Sequence, residues 1–110
     1  MKILMASTPA TGHLNPLLAV ARVLRDEDHE IAVLSGSVFR DRIENSGARF
    51  IPLPAGANFD LPEVLAAAPE LRDIPRGFEW FRIALQLFFI DAVPAQYRGL
   101  LQALEESPQM

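Results

Sequence analysis

Ser7-Thr8-Pro9-Ala10-Thr11-Gly12-His13-Leu14-Asn15-Pro16-Leu17 is the stretch on which the reading of this chain turns. The apolar run Lys2-Ile3-Leu4-Met5-Ala6 leads into it and predicts a strand. The apolar-periodic run Leu17 to Leu24 leads out of it and predicts a helix. Between them lies a turn of small residues that holds one histidine. Asn15 suits an N-cap, and Pro16 suits the first helical position, where a missing N–H costs nothing. His13 is therefore expected on the loop at the carboxyl end of a strand, just before a helix N-terminus. In open α/β sheets that edge is where ligands bind.

Outward from this turn, Ile31-Ala32-Val33-Leu34 is a second continuous apolar run, within an expected strand Glu30–Ser35. Continuous rather than alternating apolar residues mark strands buried on both faces, as in a parallel sheet covered by helices. The helix between the two strands is expected from Pro16 to Asp28, with Leu17, Val20, Ala21 and Leu24 as its core stripe. The resulting β-α-β unit is expected to be right-handed. A second helix is expected from Ser37, as N-cap, to Ser46, with Phe39 and Ile43 inward and Gly47 at C′. A third strand, Arg49–Leu53, carries Pro52, which belongs at a strand end or an edge.

Beyond Pro54 the character changes. Asp60-Leu61-Pro62-Glu63 fits a capping box ahead of a short helix over Pro62–Ala68. A loop, Glu70 to Gly77, is expected next. A strongly apolar helix, Phe78 to Val93, then has only Glu79, Arg82 and Gln86 as a narrow polar strip, so the rest is expected to be buried or to line a pocket. A last helix, Ala95–Glu106, is expected to turn Tyr97, Leu100, Leu101 and Leu104 inward and to stop at Ser107-Pro108.

The chain's 110 residues suffice for about one domain, and half of them are hydrophobic. A formal net charge of −4, with no Lys/Arg run, argues against a nucleic-acid binder. There is no cysteine, so thiolate metal sites and disulfides are excluded, which accords with a cytoplasmic setting. The most apolar window, Ile83 to Ile90, falls well short of the roughly 20 residues a membrane span needs. The chain is expected not to be transmembrane.

Gly12-His13-Leu14-Asn15-Pro16, followed by Leu18-Ala19 and Leu24, resembles the G-H-x-x-P…LA…L opening of UDP-glycosyltransferase-type enzymes, in the macrolide and plant natural-product branch. Gly47-Ala48-Arg49-Phe50-Ile51-Pro52-Leu53-Pro54 resembles that family's third-strand segment. The likeness is close over the first 54 residues and holds in pattern over the rest. It implies an α/β, Rossmann-like three-layer α/β/α fold with a parallel sheet, the incomplete N-terminal half of a GT-B fold. Residues 1–110 would form a single partial acceptor-binding domain. The nucleotide-sugar domain, supplied by a C-terminal segment or a partner chain, would be absent, and the fragment alone inactive.

The resemblance further implies His13 as the general base that deprotonates an acceptor hydroxyl during inverting sugar transfer; a loop histidine that is solvated or bonds a backbone carbonyl is the plain alternative. An imidazole suits that task because its reference pKa, about 6.5, lies near operating pH. An aspartate that would orient it is implied past Met110. Thr11 and Gly12 are expected at the donor, where close backbone approach and a helix N-terminus favour a diphosphate; a tight turn that needs glycine is the plain alternative. Phe59, Phe78 and Phe81 are expected to contact a small apolar acceptor, with simple core packing as their alternative. No metal and no cofactor are expected; a nucleotide-diphosphate sugar is the co-substrate. His29 is expected in a solvated helix-to-strand loop. Three rival readings stay open: a non-catalytic half of a two-chain glycosyltransferase, another nucleotide-binding Rossmann-like enzyme, and a plain structural domain with no active site. The missing G-x-G-x-x-G glycines count against the nucleotide-binding enzyme.

Overall fold

The computed structural model describes residues 1–106, with Arg72 by its backbone alone. Three parallel strands, β1 (Lys2–Ala6), β2 (Glu30–Ser35) and β3 (Arg49–Pro52), form one sheet in the order β1-β2-β3. Met5 pairs with Val33, and Val33 with Phe50, so β2 runs through the middle. Ile31 to Ser35 are all buried, which is why that strand reads as an unbroken apolar run. Pro52, which cannot donate to a ladder, lies on an outer strand of this sheet.

Helices α1 (Thr11–Asp26) and α2 (Arg40–Asn45), the latter entered through a 3₁₀ turn over Ser37–Phe39, cover one face. There Leu14, Leu18, Ala21 and Ile43 close over Ile31 and Val33. Helix α6 (Val93–Glu106) covers the other face, where Ala92 and Ala95 meet Leu34 and Leu53. The chain is thus a three-layer α/β/α unit.

The helix boundaries differ from the sequence reading. α1 begins at Thr11, not Pro16, and its N-cap is Ala10, which offers no side-chain bond. The Ala10 N–H donates to the Thr8 carbonyl at 2.7 Å, and the Ala10 carbonyl accepts from both His13 and Leu14. This early start places fully buried Leu14 and Leu18 at i and i+4, so the stripe is Leu14, Leu18 and Ala21, while Val20 is 49% exposed. Asn15 is not a cap; its Oδ1 accepts from Arg42 on α2. Pro16 lies inside the helix, where it leaves the carbonyl of exposed Gly12 without its usual donor.

α1 ends in a Schellman motif. The His29 N–H donates to Leu24 O at 3.1 Å and the Asp28 N–H to Arg25 O at 2.9 Å. The left-handed position is held by Asp28, φ 68°, rather than by glycine. After α2 the equivalent position is Gly47, φ 90°, as its sequence context predicts. The Arg25 guanidinium donates to Ser46 O at 3.0 Å and so ties the two helix ends together. His29 is half-buried rather than solvated, with its Nδ1 enclosed.

The segment between β3 and α6 folds as α3 (Leu61–Ala67), α4 (Pro69–Arg72), α5 (Phe78–Leu85) and a π-helical turn over Gln86–Ile90. It has its own small core of Ala68, Leu71 and Ala84, flanked by Leu65, Trp80 and Phe88. This excursion stretches the chain: the radius of gyration is 15.3 Å, against about 13 Å for a compact chain of this length. Three expectations fail here. Asp60 makes no side-chain cap bond, so the capping box is not formed. α4 occupies part of the expected loop. The apolar helix is neither continuous nor buried, with Phe78 82% and Phe81 59% exposed, because the small excursion core has no second layer to lay over that face.

α6 also turns a different face inward. Ala95, Gly99 and Ala103 are buried, whereas Tyr97, Leu101 and Leu104 are exposed and Leu100 is half-buried. Where the helix crosses Pro54, at Gly99, even a Cβ would come within 2.6 Å of the proline ring. The helix stop expected at Ser107-Pro108 lies outside the described residues.

Candidate functional site

β1 and β2 end side by side, and their ladder continues one step further through the Ser7 N–H to Leu34 O, 2.9 Å. The chain then turns through Ser7 and Thr8 into α1. On the opposite side α6 approaches the same strand ends. Between them lies a cleft of about 520 Å³. One wall is Ser7, Thr8, His13 and Leu17; the other is Val93, Gln96, Tyr97 and Leu100; Leu34 and Leu53 lie beneath. The volume suits a small organic ligand, and the walls are mostly apolar with a few polar groups. The Gln96 amide donates to Thr8 Oγ1 at 3.1 Å, joining the walls, and Ser7 Oγ donates to Thr8 O at 2.7 Å.

His13 sits in the first turn of α1, exposed and on the cleft wall. It is inside the helix rather than just before it, because α1 starts at Thr11. Among the described residues the structure gives its imidazole no hydrogen bond or ion pair. Its ring contact is with Phe89, centroids 5.5 Å apart and planes 29° apart.

Thr11 and Gly12 are exposed in the same turn. Among the described residues no acceptor meets their backbone N–H groups. Unpaired N–H groups at a helix start, with the positive end of its dipole, suit an anion. A Cβ at Gly12 would meet nothing within 4 Å, so that position is open to an approaching ligand.

The predicted aromatic contacts are elsewhere. Phe59 is half-buried against the α6-side core, its ring 5.9 Å from Phe88. Phe78 and Phe81 project from α5, and none of the three lines the cleft. The residues that do line it carried a signal of another kind. Val93, Gln96, Tyr97 and Leu100 follow the i, i+3, i+4, i+7 spacing of one helix face. Periodicity marks such a face without saying whether it meets core or cleft. Phe89 has no sequence signal of its own, since its direction depends on the π turn.

Among the described residues no three His, Cys, Asp or Glu side chains gather as a metal site, and no helix is long and apolar enough to cross a membrane. On α5 the Arg82 guanidinium bonds Glu79 and holds its carboxyl below the usual range; neither side chain lines the cleft.

Comparison with known proteins accords with this architecture. Residues 3–100 match the model of the glycosyltransferase family 28 N-terminal domain. UDP-glucosyltransferase B1 of Starmerella bombicola is 32% identical over 107 residues, which cover 94% of this chain and 24% of that protein. The 4'-demethylrebeccamycin synthase of Lentzea aerocolonigenes is 30% identical, over 97% of this chain and 25% of that protein. The chain therefore spans about a quarter of the length of the curated relatives it matches. Among solved structures, the Streptomyces sp. SF2575 glycosyltransferase SsfS6 superposes with a TM-score of 0.68 at 23% identity, over 96% of this chain and 30% of that one. The calicheamicin glycosyltransferase CalG4 gives 0.68 at 20% identity, over 97% and 24%. These structural likenesses speak for the fold, and the family match covers nearly the whole length. With a parallel sheet, a histidine at its carboxyl edge and a cleft beside it, this chain belongs to the glycosyltransferase family 28 N-terminal domain family.

Proposed function

We propose that residues 1–110 are the acceptor-binding part of an inverting glycosyltransferase, with His13 as general base. The observation that carries the reading is the position of His13: first turn of α1, exposed, on the wall of a largely apolar cleft. An acceptor whose body lies against Leu17, Val93, Tyr97 and Leu100 brings its hydroxyl beside the imidazole. The hydroxyl proton passes to an imidazole nitrogen as the oxygen bonds to the anomeric carbon of the sugar. The bond from that carbon to the diphosphate oxygen breaks on the opposite face, so the configuration inverts. The diphosphate leaves with the electron pair and is stabilised by preorganised donors. The unpaired N–H groups of Thr11 and Gly12 are in the right turn to contribute, next to the base.

The donor is a nucleotide-diphosphate sugar, a reading supported by the UDP-glucosyltransferase names of relatives. Its main contacts are assigned to a further domain or a partner chain, as the partial span of the relatives suggests. Residues 1–110 alone are then inactive. No metal takes part; helix ends and backbone donors meet the leaving charge. The absence of cysteine fits work in a reducing cytoplasm.

The test is transfer by the full-length protein from UDP-glucose to a panel of hydroxylated apolar acceptors, with the anomeric configuration of the product read by proton NMR. A β-glucoside from the α-linked donor is the expected result. Retention overturns the single-displacement reading. Donor binding without transfer to any acceptor favours the non-catalytic half instead.

A further inference from the structure

The imidazole of His13 has a neighbour that its proposed role does not use. Phe89 lies in the π-helical turn Gln86–Ile90, between the excursion core and α6. The turn is closed by the Asp91 N–H donating to Gln86 O at 2.8 Å, and the Gln86 side-chain amide donates to Asp91 Oδ1 at 2.6 Å. π turns insert one residue into a helix, redirect the side chains around them, and occur often at functional sites. Here adjacent rings take separate partners. Phe88 meets Phe59 and the excursion core, while Phe89 reaches across to His13.

A catalytic imidazole must be held in one orientation for its nitrogen to meet the acceptor hydroxyl. In many sites a carboxylate does this through a hydrogen bond. The resemblance implies an aspartate past Met110 for that bond; the Phe89 ring, lying over the imidazole at 5.5 Å and 29°, within the range of offset stacking, adds a restraint of another kind. A stack restrains the tilt of the ring and leaves both nitrogens free along its edge. We infer that Phe89 is a positioning residue, and that the π turn exists in this chain to lay its ring on the imidazole of His13. This rests on the reading of His13 as the base. It makes the excursion, which lines none of the cleft, part of the site's support: α3, α4 and α5 anchor Phe88, and Phe88 fixes the turn that aims Phe89.

The experiment uses the full-length protein with carbon-13-labelled histidine and compares wild type with Phe89→Leu, Phe89→Tyr and His13→Ala. Phe89→Leu keeps the apolar bulk and removes the stack; Phe89→Tyr keeps the stack. The ring-proton shifts of His13 report stacking directly, because an aromatic ring overhead moves them upfield. The inference expects that upfield displacement in wild type, its loss in Phe89→Leu and its return in Phe89→Tyr. With UDP-glucose and an acceptor that turns over, Phe89→Leu is expected to lower kcat about two- to tenfold with acceptor KM unmoved, and Phe89→Tyr to restore it. Undisplaced His13 protons in wild type overturn the inference. So does a Phe89→Leu variant that changes KM alone, which makes the ring an acceptor wall. If His13→Ala loses turnover while Phe89→Leu does not, only the positioning role fails. If His13→Ala keeps full turnover, the base reading itself fails.

Discussion

Gly99 of α6 lies against Pro54, the residue that follows β3's last neighbour Leu53, so closely that a Cβ on it would come within 2.6 Å of Pro54 Cδ. That approach sets the distance between α6 and the sheet. It therefore sets the width of the cleft, whose far wall is the neighbouring face of α6. A glycine is required here by contact rather than by backbone conformation.

Gly99→Ala is accordingly expected to destabilise the protein by about 1–3 kcal/mol, the usual cost of overfilling a packed contact. Urea denaturation of the full-length protein measures it. Because α6 must move outward, acceptor KM is expected to rise as well. A neutral Gly99→Ala variant would mean that α6 does not sit against Pro54.

Asp28→Gly is expected to act in the opposite direction. Asp28 holds the left-handed position of the Schellman motif at φ 68°, where a Cβ is unfavourable and glycine is at ease. A gain of about 0.5–1 kcal/mol is expected, offset in part by the greater freedom of glycine in the unfolded chain. Thermal unfolding of the two proteins side by side checks the sign.

The fold was legible in the sequence because its signals are local. The unbroken apolar runs Ile3-Leu4-Met5 and Ile31 to Leu34 marked two parallel strands, the second buried and the first only half-buried, and Gly47 marked the end of α2. Helix starts were less legible. Asn15-Pro16 carries a strong N-terminal signature, yet burial of Leu14 outweighs it and the helix begins at Thr11. Capping is worth about 1 kcal/mol, and burying a leucine more. The place of His13 at the carboxyl edge of the sheet was legible, and the cleft around it was not. An apolar helix face is written the same way whether it meets core or cleft, so Tyr97 and Leu100 read as interior. Phe78 and Phe81 read as pocket aromatics because nothing local tells an excursion from a core helix.

Residues 1–110 alone are expected to self-associate. Val93, Tyr97, Leu101 and Leu104 are exposed along α6, Phe78 and Phe81 along α5, and β1 presents an edge in this sheet. Such surfaces seek cover. Sedimentation velocity at rising concentration is expected to give growing species; a clean monomer throughout would contradict this.

On α5 the Arg82 bond holds the Glu79 carboxyl below its ordinary range, so Glu79 remains ionised to lower pH in the folded chain. The sign follows: a depressed carboxylate adds stability above its unfolded pKa and loses it as pH falls through the folded value. Both side chains are exposed, so the effect is small and screened by salt. Glu79→Gln is expected to leave stability at neutral pH nearly unchanged and to leave acceptor turnover unaffected, because neither Glu79 nor Arg82 lines the cleft.

The measurement that bears most directly on the account is the turnover of His13→Ala in the full-length protein, with donor and acceptor both saturating. If the imidazole takes the acceptor's proton, kcat falls about 10²–10⁴-fold while acceptor KM changes little. Undiminished kcat would contradict the account, because no other described residue on the cleft wall is an imidazole able to take that proton at neutral pH.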